Sequence, residues 1–87
     1  MLKIEMYVYL AYDIKTQSPL GIFQELEDAE ETIIKDRKNA IKDYDDWSLT
    51  KRLNYWAAFD KRIERHDDTN IYWSYGEYRY KIHRILI

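Results

Sequence analysis

Four groups of residues in this chain could carry chemistry, and the acidic run Glu25, Glu27, Asp28, Glu30 and Glu31, with Asp43, Asp45 and Asp46 beyond it, is the most conspicuous. On a helix such a run can imitate the phosphates of a nucleic acid and occupy a basic groove. Acids at a helix start and bases at its end are also ordinary complements to the helix macrodipole. The formal charge of −2 conceals an asymmetry: residues 1–46 carry six basic and eleven acidic side chains (−5), and residues 47–87 carry eight and five (+3).

The second group is Tyr7, Tyr9, Arg79, Lys81 and His83. If the two ends of the chain pair as strands, these residues are expected to share a face with Glu5. Rings set among cations are how single-stranded nucleic acid is held, by base stacking beside a basic track. The third group is Tyr72, Trp73, Tyr75, Tyr78 and Tyr80, five aromatics in a span of nine. Only alternate positions of a strand reach the core. Trp73 or Tyr75 is therefore expected at the surface, where a rigid aromatic anchors a protein partner at low entropic cost.

The fourth group would be catalytic or metal-binding, and it is thin. His66, Asp67 and Asp68 are consecutive and converge poorly on one ion. Asp43, Asp45 and Asp46 begin like a calcium loop but lack its glycine and closing glutamate. His83 neighbours no serine or cysteine, and there is no glycine loop to cradle phosphate. No metal, no cofactor and no enzymatic activity are expected.

These groups must be positioned by a single small domain spanning residues 1–87. With no cysteine there is no disulfide framework or thiolate zinc site, which suits a reducing compartment, and the cytosol is the expected location. No apolar run approaches the roughly 18 residues of a membrane span, and the N-terminus does not read as a secretory signal. Residues 2–14 alternate, with Leu2, Ile4, Met6, Val8, Leu10, Tyr12 and Ile14 as the expected buried face of a first strand. Residues 15–19 supply a turn and residues 20–24 a short second strand. Residues 26 to about 42 shift to helical period, with Leu26, Ala29, Ile33, Arg37, Ala40 and Ile41 on one side. A second helix is expected from about residue 48 to 66, with Leu49, Leu53, Trp56, Ala57 and Ile63 inward and Asp45, Asp46 or Ser48 as its cap. Period two returns over residues 71–87, a hairpin turning near Gly76, with a bulge expected at residues 83–85. The fold class is α+β in the order β-β-α-α-β-β: a mostly antiparallel three- or four-stranded sheet, the terminal strands central, with two helices packed on one face.

The stretch Leu20, Gly21, Ile22, Phe23, then Leu26, Glu27, Asp28, Ala29, after a tyrosine-rich strand, resembles small uncharacterised α+β proteins of Gram-positive bacteria and their phages, in which a strand ending Gly-aliphatic-Phe feeds a helix beginning Leu-Glu-x-Ala. The likeness covers about a quarter of the chain, and Gln24 and Glu25 replace the usual serine or aspartate cap. It carries no functional residues across. Such families carry no established activity, but the Ile, Tyr, Lys, Asn and Asp load suggests an AT-rich gene, and small size without catalytic groups suits a phage or mobile-element accessory protein in the host cytosol that binds and inhibits a host macromolecule, such as a CRISPR nuclease or another defence or nucleic-acid enzyme. Glu27, Asp28, Glu30, Glu31, Trp73 and Tyr75 are the expected partner-binding residues. Two alternatives stand beside this: a small nucleic-acid-binding regulator using Tyr7, Tyr9, Arg79, Lys81 and His83, and a homo-oligomeric structural module joined through the hairpin or an edge strand.

Overall fold

The computed structural model describes residues 6–65, 71–77 and 79–87. Strands β1 (Tyr7–Asp13) and β2 (Ser18–Phe23) form the first hairpin. Its turn is started by Asp13, whose Oδ1 accepts the Lys15 amide at 2.9 Å and the Thr16 amide at 3.3 Å, and is closed by Gln17 at a φ of 57°. Helix α1 (Leu26–Ala40) follows, with Glu27 and Asp28 in its first turn and Arg37 and Lys38 in its last, as the macrodipole favours. Its N-cap Glu25 makes no side-chain cap hydrogen bond. A 3₁₀ turn at Tyr44–Asp46 leads to helix α2 (Leu49–Ala57), whose N-cap Ser48 accepts the Lys51 amide at 3.2 Å. Strands β3 (Lys61–Arg65), β4 (Ile71–Tyr75) and β5 (Tyr80–Leu86) complete an antiparallel sheet of order β2-β1-β5-β4-β3.

The terminal strands do pair, β5 lying at the centre with β1 beside it. Other details depart from expectation. The second helix stops at Ala57, and residues 61–65 form a strand at the far sheet edge. The cause is Phe59, whose ring lies against Trp56 and Tyr80 and under Gly76, drawing the chain onto the sheet. Gly76 N–H then donates to Asp60 C=O at 3.0 Å and fixes the start of β3. The sheet therefore has five strands. β1 and β5 pair in unbroken register through residues 83–85, and the irregularity falls instead between Ala11 and Tyr12 against β2.

The largest correction concerns which side of β1 is buried. Ala11 and Asp13 are buried and Tyr9 packs on the core, so the odd residues face α1. Cross-strand partners share a face, and the register extends this inner set through Phe23, Tyr80, Ile82, Ile71, Trp73 and Tyr75. Ala29 and Ile33 of α1 fill it, and the small, fully buried side chains of Ala11 and Ala29 let the helix approach closely. The even residues Val8, Leu10 and Tyr12 lie on the outer face, over which no helix among the described residues packs. Leu2 and Ile4, expected to continue the buried stripe, lie outside the described residues.

Helix α1 packs on β1, β2 and β5. Helix α2 instead joins the body through an aromatic chain, Trp47 to Tyr55 to Phe59 to Tyr80, with ring centroids 5.5, 6.2 and 6.4 Å apart. Its Leu49 and Leu53, expected inward, are exposed, as is Ile63 of β3.

Candidate functional site

The inner face holds several buried polar groups, of which Asp13 and Tyr80 are paired by hydrogen bonds. Asp13 accepts from Arg79 Nε at 3.0 Å and Nη2 at 3.1 Å, a two-pronged pair closing the end of the β1–β5 ladder. Burial alone would raise its carboxyl pKa, but Arg79 and the Thr16 and Lys15 amides win and hold it below the ordinary 3.8. The Tyr80 phenol donates to Asp36 Oδ2 at 2.9 Å; burial first, then that bond, push it up to about 12. Burial beside the Glu30 carboxylate likewise raises Tyr75. Both phenols are thus neutral structural groups at physiological pH.

Of the expected partner-binding residues, Glu27, Asp28 and Glu31 are exposed on α1. Glu30 is turned to the sheet, its Oε2 accepting from Lys61 Nζ at 3.1 Å. Trp73 and Tyr75 are 9% and 5% exposed and sit in the core, so neither is a surface anchor. Both have odd numbers on β4, and that parity faces α1. Among the described residues of the cluster, Tyr72 reaches the outside.

The second expected group is split between the two faces. Tyr9 meets Trp73 edge-on at 5.8 Å on the inner side, and Tyr7 lies under the Arg84 guanidinium at 4.1 Å. Arg79 is committed to Asp13. Lys81 and His83 alone face outward, Lys81 Nζ 4.3 Å above the Tyr72 ring and His83 stacked on that ring at 4.3 Å. The five residues therefore do not form one track.

His66, Asp67 and Asp68 lie outside the described residues, and among those described no three metal-ligating side chains converge. Asp45 takes part in the 3₁₀ turn, where its backbone carbonyl accepts Arg52 Nη2 at 2.8 Å. A cleft of about 400 Å³ between α2 and the β4–β5 turn is lined by Arg37, Tyr55, Phe59, Gly76, Glu77 and Arg79. Its cations are engaged: Arg37 Nε donates to the Tyr55 hydroxyl and Arg79 binds Asp13. With Glu77 on its rim, the cleft offers little to an anion.

What remains is the outer face. Across β2, β1 and β5 its rows read Ile22, Leu10, His83 and Pro19, Tyr12, Lys81, with Val8 and Ile85 forming a further pair. Met6 and Ile87 continue it at one end, joined by the Ile87 N–H to Met6 C=O bond at 2.9 Å. Ile14 and Gln17 rim a shallow depression of about 470 Å³ over Leu10, Tyr12 and His83. Ile22 is 66% exposed, Met6 56% and Ile87 69%. Across β4 and β3 the face turns polar, carrying Tyr72, Ser74, Arg62 and Glu64. Burial, and then the Lys81 ammonium, hold the His83 imidazole below its ordinary 6.5.

The alternation of residues 6–14 carries this apolar set as the parity expected to be buried, and it is the outer one. No helix among the described residues is long and apolar enough to cross a membrane. No family model matches the chain, and neither the curated proteins nor the solved structures contain a significant match to it.

Proposed function

We propose that this chain is a small binding protein that works by surface association, and that it belongs with the phage or mobile-element accessory proteins that bind and inhibit a host macromolecule. The observation that carries the association reading is the outer face of the sheet, where exposed Met6, Ile14, Ile22 and Ile87 are linked by partly exposed Val8, Leu10, Tyr12 and Ile85. Isolated exposed aliphatics are normal on any protein, but a contiguous apolar face rimmed by polar residues marks a contact surface. The inhibitory role is drawn from analogy with phage accessory proteins, from the AT-rich residue load and from small size without catalytic groups, and a defence or nucleic-acid enzyme of the host is the partner class that analogy suggests. The exposed carboxylates of Glu27, Asp28 and Glu31 on the opposite side of the molecule suit a basic surface on that partner.

A phage challenge tests this reading. In cells armed with a defence nuclease, expression of the chain should raise plaquing at least tenfold, and Glu27→Lys/Glu31→Lys should abolish the gain. Unchanged plaquing across a panel of defence systems would reject the inhibitory role. Salt-dependent retention on single-stranded DNA or RNA would favour the nucleic-acid-binding regulator instead.

A further inference from the structure

The outer face is apolar over three strands and polar over two, and that division says what can cover it. We propose that its occupant is a second copy of this chain, the two sheets packing face to face with β1 of each copy at the two-fold axis. The proposal rests on reading the outer face as an association surface and names its partner.

The symmetry argument is geometric. A two-fold rotation about an axis along β1 places β2, β1 and β5 of one copy over β5, β1 and β2 of the other. Leu10 and Val8 then meet their own counterparts, and Ile22 meets the β5 row that holds His83. The polar strands β4 and β3 project from opposite sides of the pair, so Arg62 and Glu64 are not desolvated. A contact of this kind is isologous and closes on itself, as dimers require. Two sheets of this twist pack about 10 Å apart with strands inclined by about 30°, their side chains interdigitated.

Charge and area agree with this occupant. Lys81 is the one charged residue in the outward rows of β2, β1 and β5, and its ammonium leans over Tyr72 toward the polar strands rather than over the apolar ones. A partner needs no countercharge there, which an identical apolar face satisfies. Taking about 200 Å² as the full accessible area of a large residue, Met6, Ile14, Ile22 and Ile87 expose on the order of 450 Å² per copy. That is over half of the roughly 800 Å² per partner of a standard interface, before the partly exposed Val8, Leu10, Tyr12 and Ile85 are added.

The sheet edges disfavour the competing mode of self-association, strand addition. Edge strand β2 carries Pro19, which has no N–H to offer, and a break in register. Edge strand β3 carries Lys61, Arg62, Glu64 and Arg65 within five residues. Both are ordinary protections against edge-to-edge pairing.

Sedimentation equilibrium from micromolar to millimolar concentration tests the proposal. The expected result is a mass twice the 10.7 kDa of the chain, with Ile22→Lys weakening the dimer at least 100-fold while circular dichroism stays unchanged. Ile22 lies on an edge strand and is mostly exposed, so this variant leaves the fold intact. A second measurement uses the absence of cysteine: Leu10→Cys introduces a lone thiol beside the axis, and a bis-maleimide of about 10 Å should join two copies through it, while Glu31→Cys on the helical side should not react in this way. A monomer at every concentration, or a dimer indifferent to Ile22→Lys, overturns the second copy as occupant. A monomer in which host extract protects Met6 from oxidative footprinting overturns this inference but leaves the association reading standing. A monomer with Met6 unprotected overturns both.

Discussion

The two faces of the sheet are built from the same strands, yet α1 buries the middle of one, while the other is partly exposed and no described helix packs on it. On the inner face Ala11, Tyr80 and Ile82 are fully buried beneath Ala29 and Ile33 of α1. On the outer face Val8, Leu10, Tyr12 and Ile85 stand partly exposed, with Ile22 largely so. The difference teaches that apolar alternation marks which residues share a side, while the packing of α1 decides which side is covered. What distinguishes the inner face in composition is small residues and polar partners. Ala11 and Ala29 set the helix close, while Asp13 and Asp36 serve Arg79 and Tyr80.

The sharpest way to break this comparison is to truncate one side chain on each side. Ile33→Ala removes a side chain that is 1% exposed and should cost about 2–5 kcal/mol in urea unfolding. Ile22→Ala, at concentrations where any dimer has dissociated, should shift stability by no more than about 0.5 kcal/mol. Equal losses would mean that the outer face is covered within the monomer.

Next in size is the polar seal of the inner face. Replacing Asp13 by Asn weakens two charge-assisted bonds from Arg79 and should cost about 1.5–3 kcal/mol. It should also alter acid unfolding. Because the folded state lowers the Asp13 pKa, its contribution is complete above the ordinary 3.8 and is lost as pH falls through the lower folded value. A urea midpoint that falls less steeply between pH 5 and 2 in Asp13→Asn than in the parent checks this. An identical profile would place the stabilisation elsewhere.

The α2 end of the molecule gives a smaller effect. Gly76 has a φ of 59°, and a Cβ there would come within 2.7 Å of the Phe59 ring. Gly76→Ala should therefore cost about 1–2 kcal/mol, from backbone conformation and from displacing the ring that ties α2 to Tyr80. Phe59→Leu, which yields space, should make Gly76→Ala less costly in a double-mutant cycle.

The same contrast explains what was legible in the sequence. The α+β class, the hairpins, α1 and the pairing of the terminal strands follow from periodicity and charge placement, which are local. Face assignment is not local: a period of two fixes that alternate residues share a side but not which side receives the helix, and here the more apolar parity of β1 is the uncovered one. That inversion moved Tyr9 inward and Tyr12 outward and, with the parity of β4, buried Trp73 and Tyr75. Strand β3 was hidden because Lys61, Arg62, Glu64 and Arg65 read as the basic end of a helix, whereas an edge strand uses charge for protection. The Asp13–Arg79 pair spans 66 residues and left no local trace.

The smallest expected effect belongs to His83, whose imidazole lies on the outer face. It packs among Leu10, Tyr72 and Lys81, with Glu64 at the far end of its row. Burial, reinforced by Lys81, favours its neutral form, so the unfolded chain binds the proton more readily than the folded one. Its contribution to stability is complete above the ordinary 6.5 and is lost as pH falls through the lower folded value. A charged imidazole would also be the costliest group to enclose between two apolar sheets, so dissociation of the dimer should rise over the same range. His83→Gln should flatten both dependences between pH 8 and 5. If only the unfolding curve flattens and the dissociation curve does not, the imidazole lies outside the contact and the two-fold axis does not run along β1.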